Sequence, residues 1–153
     1  MDETLKVKAA FSALLKNISP ARRRLLSQQI GRQLARNQRK RIKAQQNPDG
    51  SAYEPRKRKK KSKKGRIKQM AMFKKITAPR YMKLRNGQDK IELGFSGNTG
   101  YIANVHQQGL RARVMRHHQF KVKYAQRELL GFTDEDREMI EDFVIKALAE
   151  PFN

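Results

Sequence analysis

Apolar residues along the chain follow two rhythms. Val7, Phe11, Leu14 and Ile18 recur at steps of three and four, with Ala10 and Leu15 alongside, and predict an amphipathic helix over residues 3–17. Ser19 and Pro20 restart the chain, because Ser offers a capping oxygen and Pro is preorganised for a first helical position. A second helix follows, with Leu26, Ile30 and Leu34 on a narrow apolar stripe that Ile42 resumes after a polar interval at Asn37, Gln38 and Arg39. The "NPDG" turn, with Pro48, Asp49 and Gly50, is expected to stop it.

Ile67, Met70, Phe73 and Ile76 resume helical spacing and predict a short helix that Pro79 ends. The rhythm then changes to alternation. Met82 and Leu84 precede Asn86-Gly87, and Ile91, Leu93 and Phe95 follow it, which is a hairpin signal with a loop long enough to exceed two residues. "GFSGNTG" reads as a turn after the strand, and Ile102, Ala103, Val105 and His106 as one or two helical turns ending at Gly109. Phe120, Val122 and Tyr124 alternate and predict a third strand. Thr133 and Asp136 resemble a capping box, and Ile140, Phe143, Val144, Ala147 and Leu148 line a closing helix before Pro151. The predicted class is α+β: long N-terminal helices, a basic loop, and helices laid over one face of a small antiparallel sheet.

A chain of 153 residues has the length of one ordinary domain, so a single domain over residues 1–153 is expected, with a flexible basic loop at about 54–66. Charge changes this picture more than length does. The formal net charge is +22, which attracts polyanions: nucleic acid, an anionic membrane or an acidic protein surface. Residues 56–68, "RKRKKKSKKGRIK", hold ten basic residues in thirteen without apolar periodicity, and read as an extended, solvated loop. Arg56, Lys57, Arg58, Lys59, Lys60, Lys61, Lys63, Lys64 and Arg66 are candidates for contact with DNA or an acidic partner. The run holds no aromatic for stacking on single strands, so its nucleic-acid reading is backbone contact with duplex DNA. The chain has no Cys, begins "MDETLKVKAAF" without a secretory apolar segment, and has no run suited to crossing a membrane. A protein working in the cytoplasm where it is made is expected.

No reaction centre emerges from the chemistry. His117 and His118 are sequence neighbours without nearby Cys or spaced carboxylates, so no metal site is expected. His106 has no nucleophile motif or paired carboxylates near it, and reads as a His ending a short helix and bonded to backbone. No phosphate-binding glycine loop is present, and no cofactor is expected. Asp134, Glu135 and Asp136 sit where a helix N-terminus favours negative charge.

The ordered motifs "RRLLSQQIGRQLARNQRKRIKAQQNPDGSAYEPRK", "GRIKQMAMFKKI", "IANVHQQGL" and "YAQRELLGFTDED" resemble, in that order, the phage virion morphogenesis family of contractile-tailed phages and prophages. The resemblance runs from about Leu14 to Leu148. Ala125 stands where the family usually has Pro before the Arg, and the lysine density at residues 57–64 belongs to this chain more than to the family. What the resemblance implies is a non-enzymatic, tail-terminator-like structural protein of tail completion. It would close the head-proximal end of the tail and support joining to the head. Its expected setting is the virion's tail neck, assembled in the host cytoplasm. Expected partners are further copies in a ring, with a hexamer favoured, together with tail-tube and head-connector proteins. The motif residues Pro48, Asp49, Gly50, His106, Gly109, Arg127, Leu129, Leu130, Gly131 and Phe132 are expected to be structural or to lie at an interface. Gly109 and Gly131 would adopt conformations that disfavour a side chain, and Leu129, Leu130 and Phe132 would anchor the last helix to the core or to an adjacent subunit. The alternative is a free-standing, sequence-independent nucleic-acid-binding protein.

Overall fold

A computed structural model describes residues 18–55, 71–87, 90–113 and 119–149. Its elements are α1 (Pro20–Lys43), β1 (Met82–Asn86), β2 (Ile91–Phe95), α2 (Gly97–Gln108), β3 (Arg111–Arg113), β4 (Lys121–Lys123) and α3 (Asp134–Ala149). The α+β class holds. The strands form two separate two-stranded sheets, β1–β2 and β3–β4. The strand predicted from Phe120, Val122 and Tyr124 therefore does not extend the hairpin; β4 pairs antiparallel with β3. The predicted helix over residues 3–17 lies outside the described residues, and so do the basic run, His117, His118 and Pro151.

Helix α1 starts where its cap predicts. Ser19 Oγ accepts from Arg22 N–H at 3.3 Å and Ser19 O from Arg23 N–H at 2.8 Å, with Pro20 at the first helical position. It ends at Lys43, ahead of the "NPDG" turn. There Gln45 takes the left-handed conformation (φ 59°), while Gln45 N–H bonds Ile42 O and Gln46 N–H bonds Arg41 O. This is the helix-ending pattern that usually employs Gly.

The chain divides into two compact units, with the boundary in α1 between Ala35 and Arg36. In the first, Ile18, Leu26, Ile30 and Leu34 are buried with Val144 of α3, and Ile91, Met139, Ile140, Phe143, Ala147 and Leu148 pack against them. The 3.6-residue spacing of the α1 stripe places these side chains on one face. Arg22 Nη2 donates to Ala147 O at 2.9 Å, satisfying a carbonyl in the last turn of α3. Asp136 is buried in the first turn of the same helix.

The second unit comprises Arg36–Lys83 and Gly94–Thr133. Its buried apolar side chains are Ile42, Tyr53, Met72, Ile76, Met82, Ala103, Val105, Ala112 and Leu129. The short helix predicted around Phe73 and Ile76 is absent from its described part: residues 74–81 form turns and Phe73 is left-handed (φ 65°). The cause is a clamp from the end of α1. Gln45 Oε1 accepts from Met72 N–H at 2.7 Å and its Nε2 donates to Met72 O at 2.8 Å, taking the backbone groups a helix would use.

The post-strand turn read from "GFSGNTG" is instead the start of α2. Ser96 N–H bonds Tyr81 O at 3.0 Å, and left-handed Gly97 (φ 60°) redirects the chain into the helix. Among the described residues no helix is long and apolar enough to cross a membrane.

Candidate functional site

The polar interval in the α1 stripe is where the helix grips backbone rather than apolar side chains. Gln38 and Arg41, one turn apart and both buried, face residues 128–131 of the "RELLGF" segment. Gln38 Oε1 accepts from Gly131 N–H at 3.2 Å, and its Nε2 donates to Gly131 O at 2.9 Å. Arg41 Nη1 donates to Gln46 O at 3.0 Å and Glu128 O at 2.9 Å; its Nη2 donates to Leu129 O at 2.8 Å and to Gln38 Oε1.

Helix α2 grips the same segment from its C-terminal end. Gln107 Oε1 accepts from Leu129 N–H at 2.8 Å and Leu130 N–H at 3.0 Å, while its Nε2 donates to Leu130 O at 2.9 Å. Asn47 Oδ1 accepts from Glu128 N–H at 2.9 Å, and Tyr53 Oη donates to Glu128 O at 2.8 Å. Every N–H and carbonyl of residues 128–131 is thus bonded by a side chain from elsewhere in this unit. An irregular segment can be buried only when its backbone groups are satisfied. Here that allows Leu129, fully enclosed at 0% exposure, to enter the core.

The turn before Tyr53 is held locally. Asp49 Oδ1 accepts from Ser51 N–H at 2.8 Å and from the Ser51 hydroxyl, which holds the Asp49 carboxyl below its usual pKa. Gly50 has φ 89° and Asn47 N–H bonds Ser51 O, so the turn needs its glycine for conformation. Tyr53 is buried, and desolvation raises its hydroxyl pKa.

His106 sits in a file of rings. Tyr53 and Phe73 meet edge to face at 5.8 Å between centroids, Phe73 and His106 at 4.8 Å, and His106 and Tyr124 at 5.0 Å. The His106 carbonyl accepts from Arg127 N–H at 2.8 Å and from Gly109 N–H at 3.3 Å. Arg127 is buried, donating through Nε to Glu54 O at 2.9 Å, through Nη2 to Pro55 O at 3.4 Å, and lying 3.5 Å from His106 Nδ1 through Nη1. The residues flanking the basic run on its N-terminal side are thereby tied to the frame.

Gly109 and Gly131 serve different ends. Gly109 caps α2 in the left-handed region (φ 65°), with Leu110 N–H bonding Val105 O at 2.9 Å. Gly131 does not have a positive φ, so the expectation of a special conformation there gives way to one of close approach: the Pro48 ring lies where its Cβ would be. Of the expected anchors, Leu129 is core, Leu130 is half-buried, and Phe132 stands 62% exposed. The structure therefore gathers Pro48, His106, Gly109, Arg127, Leu129, Leu130 and Gly131 into one polar-laced frame. The nine candidate cations of the basic run lie outside the described residues.

Sequence reasoning did not single out Gln38, Arg41, Asn47 and Gln107 as a set. The available signal was Gln38 and Arg41 at i and i+3, interrupting an apolar stripe that Ile42 then resumes. The arrangement satisfies the backbone groups of residues 128–131 and holds that segment in shape.

The model of the phage virion morphogenesis family matches residues 2–149. The chain is 36% identical over 150 residues to "Tail completion protein S" of Escherichia phage P2, covering 97% of this chain and 99% of that protein. No solved structure matches it. With a match that takes in every motif of the frame, the chain belongs to the phage virion morphogenesis family.

Proposed function

We propose that this protein is a structural subunit of phage tail completion, closing the head-proximal end of the tail and supporting head–tail joining at the neck of the virion. The observation that carries this reading is the near full-length similarity to a tail completion protein. A structural rather than catalytic role accords with a frame whose polar side chains are engaged with backbone. Copies of the chain form a ring, with a hexamer favoured, because one heterologous interface repeated around an axis closes without leaving free surfaces. Tail-tube and head-connector proteins contact the ring's two ends. The basic residues between Arg56 and Arg66 meet duplex DNA or an acidic ring, and repetition around the axis multiplies weak contacts. Assembly takes place in the host cytoplasm.

The test has two parts. Light scattering across ionic strength should give a discrete closed oligomer; a monomer under every condition overturns the ring. Particles assembled without the protein should appear by electron microscopy as filled heads and separate tails. Normal yields of joined particles would overturn the role itself.

A further inference from the structure

The β3–β4 ribbon carries charge in an arrangement that its own pairing opposes. Arg111 lies directly across from Lys123 and Arg113 across from Lys121, with Ala112 opposite Val122 between them. Cross-strand partners share a face and so do residues two apart, so Arg111, Arg113, Lys121 and Lys123 all project from one side. All four are exposed, whereas Ala112 is buried and Val122 half-buried on the other side. Cβ spacings of about 5 Å across and about 7 Å along the strands confine the four cations to a small patch. Like charges directly opposite destabilise a ribbon. Among the described residues no ion pair relieves any of the four.

We infer that this cationic face of the β3–β4 ribbon is a binding surface for the phosphate backbone of duplex nucleic acid, formed by residues other than those of the basic run 56–68. The charge balance selects the class of partner. The chain has 36 Lys and Arg against 14 Asp and Glu, so further copies of it could never neutralise its cations even with every carboxylate paired. A polyanion can, since duplex DNA carries one negative charge per about 1.7 Å of axis, and its major groove admits a two-stranded ribbon. The two Arg forks suit phosphate oxygens and the two Lys act as point charges beside them. Duplex is favoured over single strand because the cationic face holds no aromatic to stack on bases. Phe120, just before β4, has the parity of Val122 and not of the lysines. This inference does not depend on the ring or on the tail.

The experiment measures fluorescence anisotropy of a labelled 20-base-pair duplex of arbitrary sequence. It compares the full chain, the variant Arg111→Gln/Arg113→Gln/Lys121→Gln/Lys123→Gln, and a charge-matched variant Lys74→Gln/Lys75→Gln/Lys83→Gln/Arg85→Gln. At about 0.1 M salt the ribbon variant should bind at least about ten-fold more weakly. Its log–log salt slope should flatten by about 2 to 4, at roughly 0.9 for each phosphate that the variant no longer neutralises. The charge-matched variant should weaken far less. If the fourfold ribbon variant does not fold, Arg111→Gln/Lys123→Gln and Arg113→Gln/Lys121→Gln should each give about half the slope change. Equal weakening in ribbon and charge-matched variants, or unchanged affinity and slope, overturns the site. So does loss of poly-glutamate binding or of oligomer mass while duplex affinity stays, which would assign the face to an acidic protein or to a second copy. Tighter binding by the full chain to the matching single strand overturns the duplex assignment.

Discussion

The Pro48 ring lies against Gly131 so closely that a Cβ on the glycine would overlap its Cγ and come within 3.0 Å of its Cβ. This contact joins the "NPDG" turn to the "RELLGF" segment, which are far apart in sequence. Gly131→Ala should therefore lower stability by roughly 1–3 kcal/mol, the usual cost of overpacking. Pro48→Ala in the same chain should recover part of that loss, since it removes Cγ. Chemical denaturation of the two single variants and the double variant would read the coupling. Strict additivity would mean the turn and segment separate at no cost.

Arg41 supports three carbonyls, those of Gln46, Glu128 and Leu129, from a buried position. Arg41→Met keeps much of the volume but removes all three donations, leaving Glu128 O with the Tyr53 hydroxyl alone, and should cost roughly 2–4 kcal/mol. Arg41→Lys should rescue little, because one ammonium cannot span positions that a guanidinium fork reaches together. Comparing urea midpoints of the two variants checks this; recovery by Lys to near the parent value would show that charge alone matters.

The elements legible in the sequence are those decided locally. Ser19 and Pro20 mark the start of α1, Asn86-Gly87 sits at the end of β1, and the spacing of Ile140, Phe143, Val144 and Leu148 declares α3. What escaped is decided by partners distant in sequence. Helical spacing at Phe73 and Ile76 is real, yet Gln45 holds the Met72 backbone and forces another path. Strand β3 is only Arg-Ala-Arg, too short to show a period, so nothing local marks it as the partner of β4. The polar interval around Gln38 interrupts a packing face because it is the helix's contribution to residues 128–131, a role that only the placement of that segment beside it defines.

Gln107 uses both ends of its amide, accepting from Leu129 and Leu130 N–H and donating to Leu130 O. Gln107→Glu keeps the acceptors but loses the donor whenever the carboxyl is ionised. Ionised oxygen would then face the Leu130 carbonyl in a part-buried site, and where this repulsion and desolvation outweigh the two N–H bonds to the other oxygen, the folded-state pKa of the new carboxyl rises above its unfolded value of about 4.3. Stability relative to the parent should be best below that value and fall as pH rises through the folded pKa. Thermal melts of both proteins from pH 4 to 7 test the sign; a constant difference would mean that the donor bond contributes little.

The Tyr53 hydroxyl donates to Glu128 O, and burial raises its pKa above the ordinary value of 10.0. A raised folded-state pKa contributes stability that is complete below the unfolded pKa and is lost as pH rises through the folded one. Tyr53→Phe lacks both the bond and the titration. The parent should thus be the more stable at pH 7 to 9, and its advantage should shrink above pH 10. Lysines titrate in the same range in both proteins, so the difference between paired melts isolates the tyrosine.

Leu129 and Phe132 separate folding from assembly. Leu129 is fully enclosed, so Leu129→Ala should cost roughly 2–5 kcal/mol through reduced apolar packing and the cavity left behind. Phe132, 62% exposed three residues later, contributes little to this chain's own core. Phe132→Ser should leave the melting temperature within about 2 °C, a surface-type effect. If Phe132 lies at the interface between ring subunits, the same variant should lower the oligomer mass seen by light scattering. A stable Phe132→Ser protein with unchanged mass would remove Phe132 from that interface, while a large drop in its melting temperature would put the ring of Phe132 to structural use within the subunit.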